Sequence, residues 1–476
     1  MLLPEILVLT ACFLLLRLVK PRQMRMRILT VLTVWGVFKL QSSVPIRNFD
    51  FWFPLLSIIL TLSCWAAVRD PSQAPEREDR IGFILIAAGS AAAACTRLFS
   101  LNGILTASRP PQLTLSLSAG LAGAALIFLS GLLSRKRQKA LLAFWISLIL
   151  AFLIVLKLPA AGKAAAAFLR QISSQSTDTA AAGDLRWLGF SYIAFRLLSI
   201  LIDTRKGKVC AYPLEEFWIY VCFPPALPAG PIDRPERFLK DICEEKNEPG
   251  QIGEDWNAAL LKISSGLFKK FILADSLAKF SLSAQNSAQV LSSGWAWLVL
   301  SAYGLRIYFD FSGYSDIAIG IARLLGLKLP ENFNHPYLKP DIAKFWSSWH
   351  ITLTQWIRSY VFNPLTRSMK KAKRYPEWLI ILTTQLVTML LIGAWHGITL
   401  NFLIWGAWHG LGLFIHQEYG RHSAKFLRSL EKEHPLLKKV YTVCGTLLTI
   451  LFVLIGWVWF VLPDFGQAAA FLGKLF

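Results

Sequence analysis

Long apolar runs, each closed by a short cationic segment, recur along this chain and leave it few possible folds. A bilayer-crossing helix takes ~20 mostly apolar residues, because each residue adds 1.5 Å toward ~30 Å of hydrocarbon. The first half offers such runs at about 5–19, 28–46, 51–68, 81–99, 113–133, 140–158 and 187–202. The second half adds about 288–308, 377–395, 400–417 and 440–462. In lipid the backbone must satisfy its own hydrogen bonds, so these runs imply helices. The expectation is an all-α polytopic membrane protein with about eleven transmembrane helices. Two segments depart from plain spans. Residues 213–232 are apolar but carry Pro213, Pro224, Pro225, Pro228 and Pro231, a density that breaks helices and predicts a re-entrant half-helix. Residues 258–283 are amphipathic, with Lys262, Lys269, Lys270 and Asp275, and predict an interfacial helix. No internal repeat is evident.

Charge gives the orientation. Fifty Lys and Arg face 29 Asp and Glu, a net +21. In a soluble chain that excess would suggest nucleic acid, but here it sits in loops between apolar runs, so no nucleic-acid partner is expected. Loops 17–27, 69–80, 134–139 and 203–208 hold 15 cations in 35 residues, whereas the alternating loops 42–50, 99–112 and 159–186 hold 5 in 51. The positive-inside rule places the first set in the cytoplasm and the N-terminus outside. The first run is read as a retained span rather than a leader. Its cations (Arg17, Lys20, Arg22, Arg25, Arg27) follow the apolar stretch, and no small-residue cleavage site is visible. The 159–186 loop, rich in Ala, Ser and Thr, is expected to be mobile. Seven cysteines (12, 64, 95, 210, 222, 243, 444) form no CxxC pair, so neither a disulfide framework nor a zinc site is expected.

Ionisable groups inside apolar spans are costly and mark candidate sites. Three stretches concentrate them. In Arg306-Ile-Tyr-Phe-Asp310-Phe-Ser312-Gly-Tyr314-Ser-Asp316, Arg306 and Asp310 are four apart and could pair along one helix face, while Gly313 permits close backbone approach. The alternative for Asp310 and Asp316 is a buried ion pair that locks helices together. The second stretch, Phe345-Trp346-Ser-Ser-Trp349-His350 continuing to Arg358, is aromatic, so His350 is either an anchor in an interfacial belt or a functional group. The third is Gly393-Ala-Trp395-His396-Gly-Ile-Thr-Leu-Asn401, followed by Trp405-Gly-Ala-Trp408-His409. An imidazole such as His396, with an ordinary pKa near 6.5, can serve as a general base or be a satisfied structural residue. His409 and His416 share a helix face, but no carboxylate or Cys completes a metal site there.

In order along the chain, these segments resemble the membrane-bound O-acyltransferase superfamily in its bacterial branch, which includes alginate O-acetylation and teichoic-acid D-alanylation membrane proteins. The resemblance rests on Phe223-Pro-Pro-Ala-Leu-Pro-Ala-Gly-Pro-Ile232, Gly266-Leu-Phe-Lys-Lys-Phe-Ile-Leu-Ala-Asp275 and Tyr308-Phe-Asp-Phe-Ser-Gly-Tyr-Ser-Asp316. It continues through Pro330-Glu-Asn332-Phe-Asn334-His-Pro-Tyr337, Phe345-Trp-x-x-Trp-His350 and Trp395-His396-Gly397. Two departures stand out: Ser347-Ser348 replaces the usual Arg-Arg, and Arg358-Ser359-Tyr360 replaces Arg-Asp-Tyr.

The resemblance implies that family's helical fold, with a catalytic core over 186–420, N-terminal helices over 1–185 that carry no motif, and a C-terminal loop and helix over 421–476. It implies catalytic roles for His396 and His350, with His396 deprotonating the attacking oxygen. Asp310, Ser312, Tyr314, Asp316, Asn332, Asn334, Trp346, Trp349, Arg358 and Trp395 would be substrate-binding or core polar residues. No tightly bound cofactor or metal is implied. The donor would be an acyl thioester, acetyl-CoA or an acyl-carrier protein, and the acceptor a cell-surface polysaccharide reached through an extracytoplasmic hydrolase-like partner. The setting would be the lipid of a bacterial inner membrane. D-alanyl transfer is the near alternative. A transporter or flippase using Arg306, Asp310, Asp316 and Arg323 as a proton relay is the distant one.

Overall fold

The computed structural model describes residues 3–69, 76–99, 105–208, 212–243 and 249–476. Parts of the loops at 69–80 and 99–112, together with Cys210, lie outside the described residues. Every regular element among the described residues is helical. The cysteines at 12, 64, 95, 222 and 444 are free thiols. The chain divides into two compact units, the first of residues 1–264 with 317–330 and the second of 265–316 with 331–476.

The first unit opens with α1 (Leu3–Arg17), α2 (Arg22–Lys39), α3 (Phe49–Val68) and α4 (Arg77–Cys95). The runs expected at 113–133 and 140–158 form one helical stretch, α5 (Leu113–Lys157), broken by non-helical backbone at Arg137 in the basic loop between them. The loop expected to be mobile is largely a helix, α6 (Pro159–Ile172), followed by a helical turn at 182–184. Two forces order it. Alanine has the highest helix propensity, and Pro159 starts the first turn at no hydrogen-bond cost. Arg170 then donates to Asp184 at 2.8 Å, both side chains buried, while Ala166 and Ala180 join Ile46, Phe49 and Phe53 in a local core.

After α7 (Phe190–Arg205), the proline-rich segment forms a short buried helix, α8 (Leu214–Cys222), and a helical turn at 224–226, too short to span a bilayer. Helices α9 (Pro235–Cys243) and α10 (Pro249–Leu267) follow.

Contacts within this unit sort its loops as the charge pattern does. Arg27 pairs with Glu78, and Gln138 donates to the carbonyls of Ala67 and Arg69, which ties the three loops 17–27, 69–80 and 134–139 together. At the other end of the same helices, Gln175 bonds both Pro45 and Arg47, and Asp50 accepts from Ser108 at 2.6 and 2.8 Å.

In the second unit α10 runs on through a wider π-helical turn at 268–274 into α11 (Asp275–Ala278). Next come α12 (Ser293–Leu324), whose last turns belong to the first unit, then α13 (Ile342–Trp346), α14 (Ile351–Ile357) and α15 (Asn363–Lys371). The chain ends with α16 (Glu377–His396), α17 (Leu400–Glu433), α18 (Pro435–Val461) and α19 (Phe465–Gly473). Residues 421–433, read as part of a loop, continue α17. Four helices among the described residues, α3, α5, α16 and α18, are long and apolar enough to cross a membrane by length and composition.

Candidate functional site

The polar residues singled out from the sequence fall in the second unit. Helix α12 continues unbroken through Arg306–Asp316. Arg306 and Asp310 do not pair as their spacing suggested. Arg306 donates to the Ser281 hydroxyl at 3.1 Å, and Asp310 pairs with Lys270. One turn on, Lys269 reaches Asp316 at 2.6 Å, with Asp316 buried. Lys269 and Lys270, two of the lysines expected on an interfacial helix, thus pair with carboxylates of α12. Gly313 makes this possible, because a Cβ there would lie 2.8 Å from the Gly266 carbonyl oxygen and 2.9 Å from the Lys270 nitrogen. The buried ion-pair reading of Asp316 holds, with partners 40 and 47 residues away for Asp310 and Asp316.

His350 sits between α13 and α14 with φ 44° and is 3% exposed. Left-handed backbone costs a side-chain-bearing residue roughly 1–2 kcal/mol. The turn lays the segment 332–334 against 348–352. Asn334 N donates to Ser348 O at 3.0 Å, and Ile351 N to Asn332 O at 2.9 Å. His350 Nδ1 then lies 3.2 Å from Asn332 Oδ1, and Nε2 has no hydrogen-bond partner among the described residues. Asn332 is fully buried, and its amide also binds Thr352 and Ser315. The Phe311 ring meets the imidazole edge-on at 4.7 Å. Ser312 and Tyr314 are buried on α12, and Ser312 Oγ has no hydrogen-bond partner among the described residues.

His396 is the last residue of α16 and is half-buried. Aromatic rings surround it: Trp395 at 4.5 Å, Phe460 at 4.7 Å, Trp405 at 5.7 Å and Phe402 at 5.9 Å. Gly393 and Gly406 let α16 and α17 meet at backbone distance, since a Cβ on either would fall 2.3 Å from Phe402 O or 2.6 Å from Met389 O. Trp395 touches both imidazoles, with His350 at 6.0 Å. The two histidines, 46 residues apart in the sequence, therefore contact one indole.

The other candidates divide. Trp346 and Trp349 are buried in the aromatic layer beneath these residues, Trp349 stacked on Phe345 and Trp346 against Trp405. Asn334 and Arg358 are exposed, and Arg358 opens a π-helical turn at 358–362. His409 is fully buried and accepts from Trp346 Nε1 at 3.4 Å, whereas His416 faces Asp341 at 3.6 Å. Among the described residues no group of three or more His, Cys, Asp or Glu is arranged to hold a metal ion. Sequence reasoning missed Thr352, Ser315 and Trp405 as site neighbours. Thr352 stands two places after His350 in a stretch that also carries Ser347, Ser348, Thr354 and Gln355, so no signal set it apart.

A family model for MBOAT, the membrane-bound O-acyltransferase family, matches residues 137–456, and the chain belongs to that family. Among curated proteins it is 34% identical over 277 residues to the probable alginate O-acetylase AlgI of Pseudomonas aeruginosa, covering 57% of this chain and 48% of that protein. It is 34% identical over 245 residues to the peptidoglycan O-acetyltransferase of Helicobacter pylori, covering 52% and 43%. It is 32% identical over 243 residues to the teichoic acid D-alanyltransferase of Streptococcus thermophilus, covering 50% and 58%. The chain spans about half the length of the curated relatives it matches.

Proposed function

We propose that this protein is an O-acyltransferase that moves a short acyl group, acetyl in preference to D-alanyl, from a cytoplasmic thioester to a hydroxyl of a cell-surface polysaccharide. The observation that carries this reading is that His350 and His396 both contact Trp395, inside a membrane-protein fold. In the reaction the acceptor oxygen bonds to the thioester carbonyl carbon, the carbon–sulfur bond breaks, and the hydroxyl proton ends on the departing sulfur. An imidazole can accept that proton and return it, which neither aromatic nor aliphatic neighbours can do. Within the proposal, His350 and His396 carry this proton traffic.

The acyl preference follows from charge. A D-alanyl group brings an ammonium, which needs a carboxylate in a membrane interior. Asp310 and Asp316, the carboxylates of the α12 motif, are already matched by Lys270 and Lys269. A neutral acetyl group asks for no such partner. The same ion pairs weigh against a proton relay in a transporter. Acetyl-CoA or an acyl-carrier protein would be the donor, presented from the side bearing the cationic loops in an inner membrane, with the N-terminus outside. An extracytoplasmic hydrolase-like partner would pass the acyl group on to the polymer.

The test is reconstitution in lipid vesicles with acetyl-labelled thioester and an external hydroxyl acceptor. Covalent label on the acceptor or a partner protein is expected, with a D-alanyl thioester at least tenfold slower. Passage of acceptor with no covalent product would overturn the proposal in favour of transport.

A further inference from the structure

The Asn332 side chain ties His350, Thr352 and Ser315 together. The Thr352 backbone N–H, which can only donate, lies 3.3 Å from the Asn332 side-chain oxygen and so fixes which end of the amide is Oδ1. The Thr352 hydroxyl donates to the same oxygen at 2.9 Å, and Nδ2 donates to Ser315 Oγ at 3.3 Å. The amide cannot flip without facing donor to donor. His350 Nδ1 lies 3.2 Å from that fixed acceptor, so Nδ1 must carry the hydrogen, since a lone pair there would face another. Neutral imidazole has one N–H. Nε2, buried and without a hydrogen-bond partner among the described residues, therefore bears the lone pair.

We infer that Asn332 is a positioning residue which holds His350 as the Nδ1–H tautomer and so dedicates Nε2 to accepting a proton. The inference rests on the catalytic reading of His350 given above. When a proton from the acceptor hydroxyl reaches Nε2 in the traffic shared with His396, the imidazolium keeps its Nδ1–H bond to Oδ1. As the carbon–sulfur bond breaks, the same proton passes from Nε2 to the sulfur, and the resting tautomer is restored. An amide oxygen can orient the ring through this cycle but does not itself take up the proton. Asn332 thus acts on the chemistry only through His350.

The experiment uses full-length protein in nanodiscs with ¹⁵N-labelled histidine, His350 being assigned by the resonance lost in His350→Ala. Wild-type protein is expected to show His350 as the Nδ1–H tautomer. Asn332→Leu, near in size but with no acceptor, should lose that tautomer and lower kcat ~10–100-fold, with KM for the thioester within threefold. Asn332→Asp, which keeps an oxygen at the same place while the Ser315 hydroxyl turns to donate, should retain the tautomer and recover most of the rate. An Nε2–H tautomer in the wild type would overturn the inference, and that measurement needs no variant to fold. So would a folded Asn332→Leu protein with unchanged tautomer and kcat. If His350→Ala turns over at the wild-type rate, the catalytic reading of His350 falls and takes the inference with it. If His350→Ala is inactive and the wild-type ring is Nε2–H, the role of Asn332 alone is lost.

Discussion

His350 and His396 contact the same indole, yet their surroundings differ. His350 is 3% exposed, sits on strained backbone and is fixed through one nitrogen by a buried amide. His396 ends a long apolar helix, is half-buried, and has four aromatic rings around it. The Asn332 amide chooses which nitrogen of His350 holds the proton, and the aromatic rings fix where the His396 imidazole lies. If both serve one proton transfer, His350→Ala and His396→Ala should each lower kcat ~10²–10⁴-fold. The double variant should be no slower than the slower single, because residues acting as a unit are not additive. Label transfer per inserted molecule measures this, and a wild-type rate in either variant would break the pairing.

The supporting shells should differ in stability as well. Trp405 is 1% exposed and lies against the rings of His396, His409, Trp346, Trp457 and Phe460. Trp405→Ala should cost about 3–5 kcal/mol, read as a lower thermal midpoint in detergent. Around His350 the shell is polar, and the ion pairs of α12 show how burial grades such contacts. The Asp316 side chain is 8% exposed and that of Asp310 51%. Asp316→Asn, which leaves Lys269 unmatched, should cost about 3 kcal/mol. Asp310→Asn, at the more exposed of the two pairs, should cost less. Equal losses for the two variants would mean that burial does not set their difference.

How much of this was legible beforehand follows the range of the interactions. Hydrophobic run length is a local signal, and it located α3, α16 and α18 within a few residues: 51–68 against Phe49–Val68, 377–395 against Glu377–His396, 440–462 against Pro435–Val461. Loop charge is local too, and contacts in the first unit join three of the four cationic loops to one another. The 159–186 segment was misread because its polar composition outweighed an alanine run that reads as helix by propensity. The partners of Asp310 and Asp316 were out of reach, since Lys270 and Lys269 approach only because a wider helical turn meets Gly313. Asn332 was visible as a polar residue in a motif. Its bond to His350 depends on a left-handed turn at His350 itself, which an imidazole rarely adopts and no spacing rule announces.

The smallest effect expected is also the most local. Thr352→Val removes the 2.9 Å hydroxyl bond to Asn332 Oδ1 but keeps the backbone N–H that fixes the amide, and nearly keeps the volume. One neutral hydrogen bond is worth about 0.5–1.5 kcal/mol, so if the lost orientation is felt in the transition state, kcat should fall roughly 2–10-fold. Thr352→Ser, which restores the hydroxyl, should return most of that loss. His396 supplies the contrast, because Phe402→Leu, which trims a ring stacked on it, leaves every polar contact of the amide in place and should change kcat less than Thr352→Val does. The reverse order would mean that ring contacts control the reaction more tightly than the amide does, and the division of roles between the two histidines would have to be exchanged.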